Sequence, residues 1–201
     1  MGNILNPRGA GGSGKTELVR RILYRYGWKA GERYGGSLVE CLYVSGRSRP
    51  FAYRLPHPFG GRPLVVIGHY EVTSGGCDTI RQADGGLVEV ARSADAFTAT
   101  GHDVIIEGLR LSSDVEHSMA LARSRRLLVL RLRTPLRRCV YNLASRRRVG
   151  PRAHPAIERA VKAEHARIEQ ACQWLRPHAY VEDVTFDEAL ARAGALLGLT
   201  S

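Results

Sequence analysis

The sequence predicts a single α/β domain, a parallel sheet flanked by helices. Three observations support that expectation. The chain has 201 residues, the size of one domain. Continuous apolar runs at 64–67, 104–106 and 127–132 suit strands buried on both faces. Segments with helical periodicity separate these runs, and strands alternating with helices argue for parallel pairing.

Taken in order, Asn3-Ile4-Leu5 begins the sheet. Pro7-Arg8 then stands where more strand is usual, so this strand is expected to be short or distorted. Thr16 to Tyr26 has Leu18, Val19, Ile22 and Leu23 at helical spacing, and Gly27 stops the helix. Residues 28–62 are rich in Gly, Arg, Pro and Tyr, with strand-like pieces at Ser37–Val44 and Phe51–Leu55. They read as a small β-rich insertion over 30–62. Leu64–Ile67 is a buried strand, 68–79 a polar loop, and 80–100 a helix weakened early by Gly85-Gly86. Asp103–Ile106 is the next strand and ends at the carboxylate of Glu107. A helix over 113–124 precedes the strand Leu127–Leu132. Pro135 opens a helix that runs to about Arg148 and stops at Val149-Gly150-Pro151. A long helix over Ala156–Leu175, a last strand at Tyr180-Val181 and a closing helix over Phe186–Leu197 complete the chain. The segment 134–155 is expected to act as a helical lid.

A hydrophobic fraction of 44% and a charged fraction of 24% exclude a disordered or collagen-like chain. No apolar run approaches the ~20 residues that cross a bilayer, and a glycine-rich motif beginning at Gly9 leaves no room for a secretory signal. A cytoplasmic protein is expected. Cys41, Cys77, Cys139 and Cys172 form no C-x-x-C pair and read as reduced thiols. His154, His165 and His178 lack metal-ligand spacing.

Gly9-Ala10-Gly11-Gly12-Ser13-Gly14-Lys15-Thr16 fits G-x-x-x-x-G-K-[ST] at every fixed position. Glycines let the backbone curl so that its N–H groups converge on phosphate oxygens, and the helix that follows presents its N-terminus to them. Gly9, Gly11, Gly12, Ser13, Gly14 and Lys15 are thus expected to bind nucleotide phosphates. Thr16 is expected to ligate Mg²⁺, with Glu107 at a strand end as the second metal-binding candidate.

The loop Gly68-His69-Tyr70-Glu71-Val72-Thr73-Ser74-Gly75-Gly76-Cys77-Asp78-Thr79 follows a strand. In such sheets the ligand lies outside the carboxyl ends of the strands. An acceptor alcohol needs a base or an orienting carboxylate. Asp78 is the candidate, with Gly75-Gly76 allowing the backbone close to a substrate. The same residue is also a candidate N-cap for helix 80–100. Cys77 reads as a small buried residue. Tyr70 and His69 are expected to line an acceptor pocket, with Tyr70 stacking on a base.

The charge is unusual. Thirty basic residues against nineteen acidic give 30 − 19 = +11, and only Lys15, Lys29 and Lys162 are lysines. From Leu121 to Arg152 there are eleven arginines and no acid, which reads as one basic stripe for nucleic acid or polyphosphate. Within it, Arg146 and Arg147 at the end of the lid helix are the candidates for contacting the transferred phosphoryl group. Arg47, Arg49, Tyr53 and Phe59 of the insertion are expected to hold a flanking strand.

Gly68–Glu71 and Gly75–Ile80, followed by Asp103, Glu107, Gly108 and Leu109, give the chain a resemblance to a family of bacteriophage P-loop kinases. It includes the 5-hydroxymethyluracil DNA kinases, which phosphorylate the hydroxymethyl group of the modified base in DNA during thymidine hypermodification. The likeness spans about residues 3–150 and is most specific in Gly-Gly-Cys-Asp-Thr-Ile. It implies a P-loop kinase fold, ATP and Mg²⁺ as cofactors, and Asp78 as the acceptor-side carboxylate. Related kinases often carry an arginine early in the lid helix, near where Asn142 stands, and Arg138 is the nearby residue that would substitute at the nucleotide. The expected activity is transfer of the γ-phosphoryl group of ATP to 5-hydroxymethyluracil in DNA. No obligate protein partner or membrane is implied, and a phage-encoded enzyme would work in the host cytoplasm. A kinase of free nucleosides or nucleoside monophosphates is the alternative, and a regulatory ATPase the third reading.

Overall fold

The computed structural model describes residues 1–31 and 38–199. Seven strands form one sheet: β1 (Asn3–Arg8), β2 (Glu40–Leu42), β3 (Ala52–Leu55), β4 (Leu64–Ile67), β5 (Asp103–Ile106), β6 (Arg126–Leu132) and β7 (Tyr180–Val184), in spatial order β2-β3-β4-β5-β1-β6-β7. β4, β5, β1, β6 and β7 are parallel, and β2 and β3 are antiparallel. The helices are α1 (Lys15–Arg25), α2 (Gly86–Ala99), α3 (Leu109–Ser112), α4 (Glu116–Ser124), α5 (Leu136–Arg147), α6 (His154–Leu175) and α7 (Phe186–Leu196). Single 3₁₀ turns occupy Cys77–Thr79, Gln82–Asp84 and Pro151–Ala153.

The sheet separates two apolar layers. On one face Leu18, Ile22 and Leu23 of α1 pack with Ala189 and Ala193 of α7 and with Trp28, Tyr53 and Tyr70. The other face collects Val90 and Ala94 of α2, Leu121 of α4, Val140 and Leu143 of α5, and Val161 and Ile168 of α6. The all-apolar strands Leu64–Ile67 and Val104–Ile106 are fully buried, as their composition requires. Among the described residues no helix is long and apolar enough to cross a membrane.

The segment expected as a separate insertion belongs to the main sheet. Its described part contributes β2 and β3, which continue the sheet past β4 as an antiparallel edge. Residues 32–37, including Ser37 of the first strand-like piece, lie outside the described residues. The expected helix over 80–100 begins only at Gly86, because Gly85 and Gly86 both adopt positive φ. The helix expected over 113–124 forms as α4 over 116–124, preceded by the single turn α3.

β1 is neither short nor distorted. All six of its residues pair with β6, from Asn3–Arg126 to Arg8–Arg131. Pairing to β5 ends at Leu5–Ile105. Pro7 therefore lies where one side of the strand has no ladder partner, a position that tolerates proline. Arg8 is completely buried. Its guanidinium donates to Asn6 Oδ1 (2.7 Å), to the Ser112 and Asp114 carbonyls (3.2 and 2.9 Å) and to Ser118 Oγ (2.5 Å). One side chain thus ties the end of β1 to the chain entering α4. Arg8→Ala would leave a cavity and several unpaired acceptors. We expect it to lower unfolding free energy by about 3–5 kcal/mol, measured by urea denaturation.

Candidate active site

In parallel sheets the ligand crevice opens where strand order reverses, outside the carboxyl ends. Here that point lies between β1 and its neighbours β5 and β6. A cleft of about 520 Å³ opens there. Its walls come from the 9–16 loop, α1, the 68–79 loop, the end of β5 and α5. Lys15, Thr16, Asp78, Glu107, Asn142 and Arg146 all line it.

The 9–16 loop has the geometry of an anion cradle. Gly12 and Gly14 take positive φ, 77° and 98°. A β-carbon on Gly12 would come within 2.4 Å of the Cys139 carbonyl oxygen of α5, so glycine is required for conformation and for space. Among the described residues, no acceptor engages the N–H groups of Gly12, Gly14, Lys15 or Thr16. The loop's carbonyls, in contrast, are occupied. Lys15 Nζ donates to Gly9 O (2.6 Å) and Ala10 O (3.1 Å). Asn142 Nδ2 donates to Gly12 O (2.8 Å), and Thr134 Oγ1 to Ser13 O (2.7 Å). On the flank facing α6, Gly11 N–H donates to Glu164 Oε2 at 2.7 Å. Burial lowers the pKa of Lys15, opposed by the charges of Glu107, Asp78 and Glu164.

Glu107 is 2% exposed, and both its carboxylate oxygens lie 3.3–3.4 Å from Thr16 Oγ1. Burial pushes its pKa up to about 7, and Asp78 adds to the rise while Lys15 opposes it. A buried carboxyl beside a hydroxyl suits a hard cation, whose charge would favour the ionised form. Mg²⁺ usually takes only one or two protein oxygens and completes its shell with water and phosphate. Thr16 and Glu107 fit that requirement. Among the described residues no group of three His, Cys, Asp or Glu side chains converges on a common point.

Asp78 lies across the cleft. Its carboxylate accepts from the N–H groups of Leu109 (2.5 Å) and Arg110 (3.2 Å) and has Arg110 Nε at 3.6 Å. It therefore caps α3 and not the helix after residue 80. The side chain remains 31% exposed, towards the cleft. The two glycines before it are set by the protein itself and not by a substrate. Gly76 has φ 85°, and a β-carbon there would lie 2.5 Å from both the carbonyl and a carboxylate oxygen of Glu107. Gly75 packs the loop against Thr16 and His69. Cys77 is buried with its thiol on the Ile67 carbonyl, and burial raises its pKa well above the ordinary thiol range.

Tyr70 does not face an acceptor. It is completely buried beside Tyr53, and His69 Nδ1 is engaged with the Tyr53 hydroxyl at 3.0 Å. Hydrophobic burial behind α1 has taken both rings from the cleft. Of the lid arginines, Arg146 lines the cleft and Arg147 does not. Arg146 is four residues after Asn142, so the two share a helix face. Arg138 is exposed with its guanidinium 5.9 Å from the Tyr141 ring, and it does not line the cleft. Two cleft arginines escaped the sequence reading. Arg20 donates to the carbonyls of Tyr70 (3.0 Å) and Val72 (2.5 Å), and Arg110 to that of Ile80 (2.8 Å). Arg20 lies four residues after Thr16 on α1, a spacing that could have revealed it.

The chain matches no protein-family model. Over 145 residues it is 38% identical to the "5-hmdU DNA kinase" of Pseudomonas phage PaMx11, an alignment covering 72% of this chain and 69% of that protein. The chain belongs to the 5-hmdU DNA kinase family. The resemblance drawn from the 68–80 and 103–109 stretches is thereby borne out, and with it the expectation of an ATP-dependent phosphotransferase.

The raised pKa of Glu107 has a consequence for the metal-free kinase. Its folded-state value, about 7, lies above the reference 4.5. Between those values the folded state binds the extra proton, so stability falls as pH rises through the window. The contribution approaches 1.4 kcal/mol per pH unit at most. In chelator-treated protein, Glu107→Gln should flatten the decline in melting temperature between pH 5 and pH 8. An unchanged slope would show that Glu107 is ionised throughout.

Proposed function

We propose that this protein transfers the γ-phosphoryl group of ATP to the hydroxymethyl oxygen of 5-hydroxymethyluracil in DNA. The observation behind the proposal is that one cleft unites a free anion cradle, the Thr16–Glu107 pair and the acceptor-side carboxylate Asp78. The named activity of the phage relative supports the same acceptor.

In this reading the N–H groups of Gly12, Gly14, Lys15 and Thr16 hold the β-phosphate, with Gly9, Gly11 and Ser13 shaping the loop. Lys15 leaves the Gly9 and Ala10 carbonyls to bridge β- and γ-phosphates. Thr16 and Glu107 would hold Mg²⁺, which neutralises phosphate charge when bound. Asp78 accepts a hydrogen bond from the acceptor hydroxyl, orients its lone pair towards phosphorus and takes the proton as the new P–O bond forms, while the bond from the γ-phosphorus to the β–γ bridging oxygen breaks and ADP leaves. Arg146, approaching from α5, offsets charge on the transferred group. Arg147 and Arg138 contribute there only if 134–155 closes further as a lid. The whole chain acts as one kinase domain.

Labelled ATP with oligonucleotides containing 5-hydroxymethyluracil tests the proposal. We expect label on that DNA, little on thymine-only DNA, and little on free 5-hydroxymethyl-deoxyuridine monophosphate. Label confined to the free nucleotide would make the protein a nucleotide kinase.

Lys15→Ala should lower kcat on the order of 10²–10³-fold. Asp78→Asn should lower kcat by roughly 10²–10⁴-fold with the KM for ATP nearly unchanged. The amide can still accept from the α3 N–H groups, so its melting temperature should hold within a few degrees. A folded Asp78→Asn enzyme with normal kcat would remove Asp78 from the chemistry.

A further inference from the structure

The basic charge is not one stripe. Arg123, Arg125 and Arg126 precede or begin β6, at the amino end of the parallel strands and away from the cleft. Arg125 is paired with Asp95 at 2.7 Å. Phe59, in the β3–β4 loop, also lies at that end, and Tyr53 is buried. None of these can guide a DNA strand to Asp78.

The turn between β2 and β3 can. β3 runs antiparallel to β4, and its first residue, Ala52, pairs with Ile67 at the carboxyl end of β4. Residues 43–51 therefore stand beside the 68–79 loop, at the cleft end of the sheet. Between this turn and the segment that follows Asp78 lies a second cavity of about 360 Å³, bordered by Arg47, Arg49, Thr79, Arg81 and Asp84. Asp78 lines the main cleft and its chain neighbour Thr79 lines this one.

The arginines here do different things. Arg47 is 5% exposed and fully committed, donating to Asp84 Oδ2 (2.9 Å) and to the carbonyls of Thr79 (3.1 Å) and Pro50 (3.4 Å). It braces the turn against the acceptor segment and fixes the cavity's shape. Arg49 is exposed, and its guanidinium meets no acceptor among the described residues. Arg81 is 71% exposed and shares Asp84 with Arg47. Three arginines thus border the cavity against one carboxylate, which Arg47 and Arg81 share, and Arg49 faces solvent. Tyr43, 60% exposed, opens the same turn, with Glu71 as the acid nearest it. Arginines and an exposed aromatic ring on one turn are the composition of a single-strand platform.

We infer that this second cavity is a phosphodiester subsite. Arg49 and Arg81 hold the DNA backbone next to the modified nucleotide, and Tyr43 stacks on a neighbouring base. The inference rests on the DNA-kinase reading above and adds where the strand outside the target base is gripped. A mononucleotide has no phosphodiester to place there, so the subsite would also favour DNA over a free nucleotide.

The test is Arg49→Ala with Arg81→Ala, singly and together, with Arg123→Ala as a control at the far end of the sheet. Fluorescence anisotropy measures binding of a labelled single-stranded oligonucleotide containing 5-hydroxymethyluracil across a salt series. Steady-state assays give separate KM values for DNA and ATP. The double variant should raise the DNA Kd and KM about tenfold, with kcat and the KM for ATP within twofold. Its salt slope should shrink by about 1.4, that is 0.7 per lost phosphate contact on a single strand. Tyr43→Ala should weaken binding without changing the salt slope. Unchanged DNA affinity and salt slope in the folded double variant would overturn the subsite. So would an equal loss for free 5-hydroxymethyl-deoxyuridine monophosphate. If the wild type fails to phosphorylate DNA, the proposed function fails, and the anisotropy series still decides the subsite.

Discussion

An anion cradle works only if its N–H groups point at the ligand, and that arrangement strands its carbonyls. The structure around the cleft follows from meeting this one constraint. The carbonyls of residues 9, 10, 12 and 13 receive donors from Lys15, Asn142 and Thr134. Two of those donors come from the segment after β6, so that segment must dock on the loop. The close fit of Gly12 against Cys139 follows from the same docking. α5 is thus a structural partner of the loop as well as the carrier of Arg146. Asn142 provides a neutral donor to the loop.

Electrostatics tie the two sides of the cleft together. Lys15 and Glu107 each shift with the charge of the other and with that of Asp78, and of these three only Lys15 is a cation. Lys15 rests on the Gly9 and Ala10 carbonyls, while the carboxyl of Glu107 is buried beside Thr16 with its pKa raised by burial. In the proposed reading, Mg²⁺ held by Thr16 and Glu107 would favour the ionised acid, and Lys15 would exchange its backbone carbonyls for phosphate oxygens.

Much of this was legible in the sequence, and the reasons differ by feature. The order of strands and helices was visible because parallel strands buried on both faces become unbroken apolar runs, as at 64–67 and 104–106. The 9–16 loop was visible because its motif fixes residue type at fixed spacing, and Glu107 and Asp78 because each follows a strand, which brings both to the same cleft. β1 was underestimated because proline propensity speaks for an average strand, while Pro7 lies beyond the β5 pairing. Tyr70 and His69 were misplaced because their loop turns back on itself through the His69–Gly76 bridge. A polar loop sequence does not reveal which of its rings goes inward. The capping partner of Asp78, 31 residues away in α3, is a tertiary contact that no local pattern encodes.

The net charge of +11 shows the same limit at larger scale. Read along the chain, eleven arginines in one acid-free stretch look like a single surface. Folding distributes them, because β6 runs the full height of the sheet and separates Arg123–Arg126 from the arginines of α5. Two are also paired with acids distant in sequence, Arg125 with Asp95 and Arg131 with Asp183 and Glu169. What decides function is therefore the charge left unpaired near the cleft. By that measure Arg146, which lines the cleft, and Arg49, which borders the neighbouring cavity, matter more than the density of the stretch. In the proposed reading the first serves the nucleotide and the second the strand that brings the hydroxyl in.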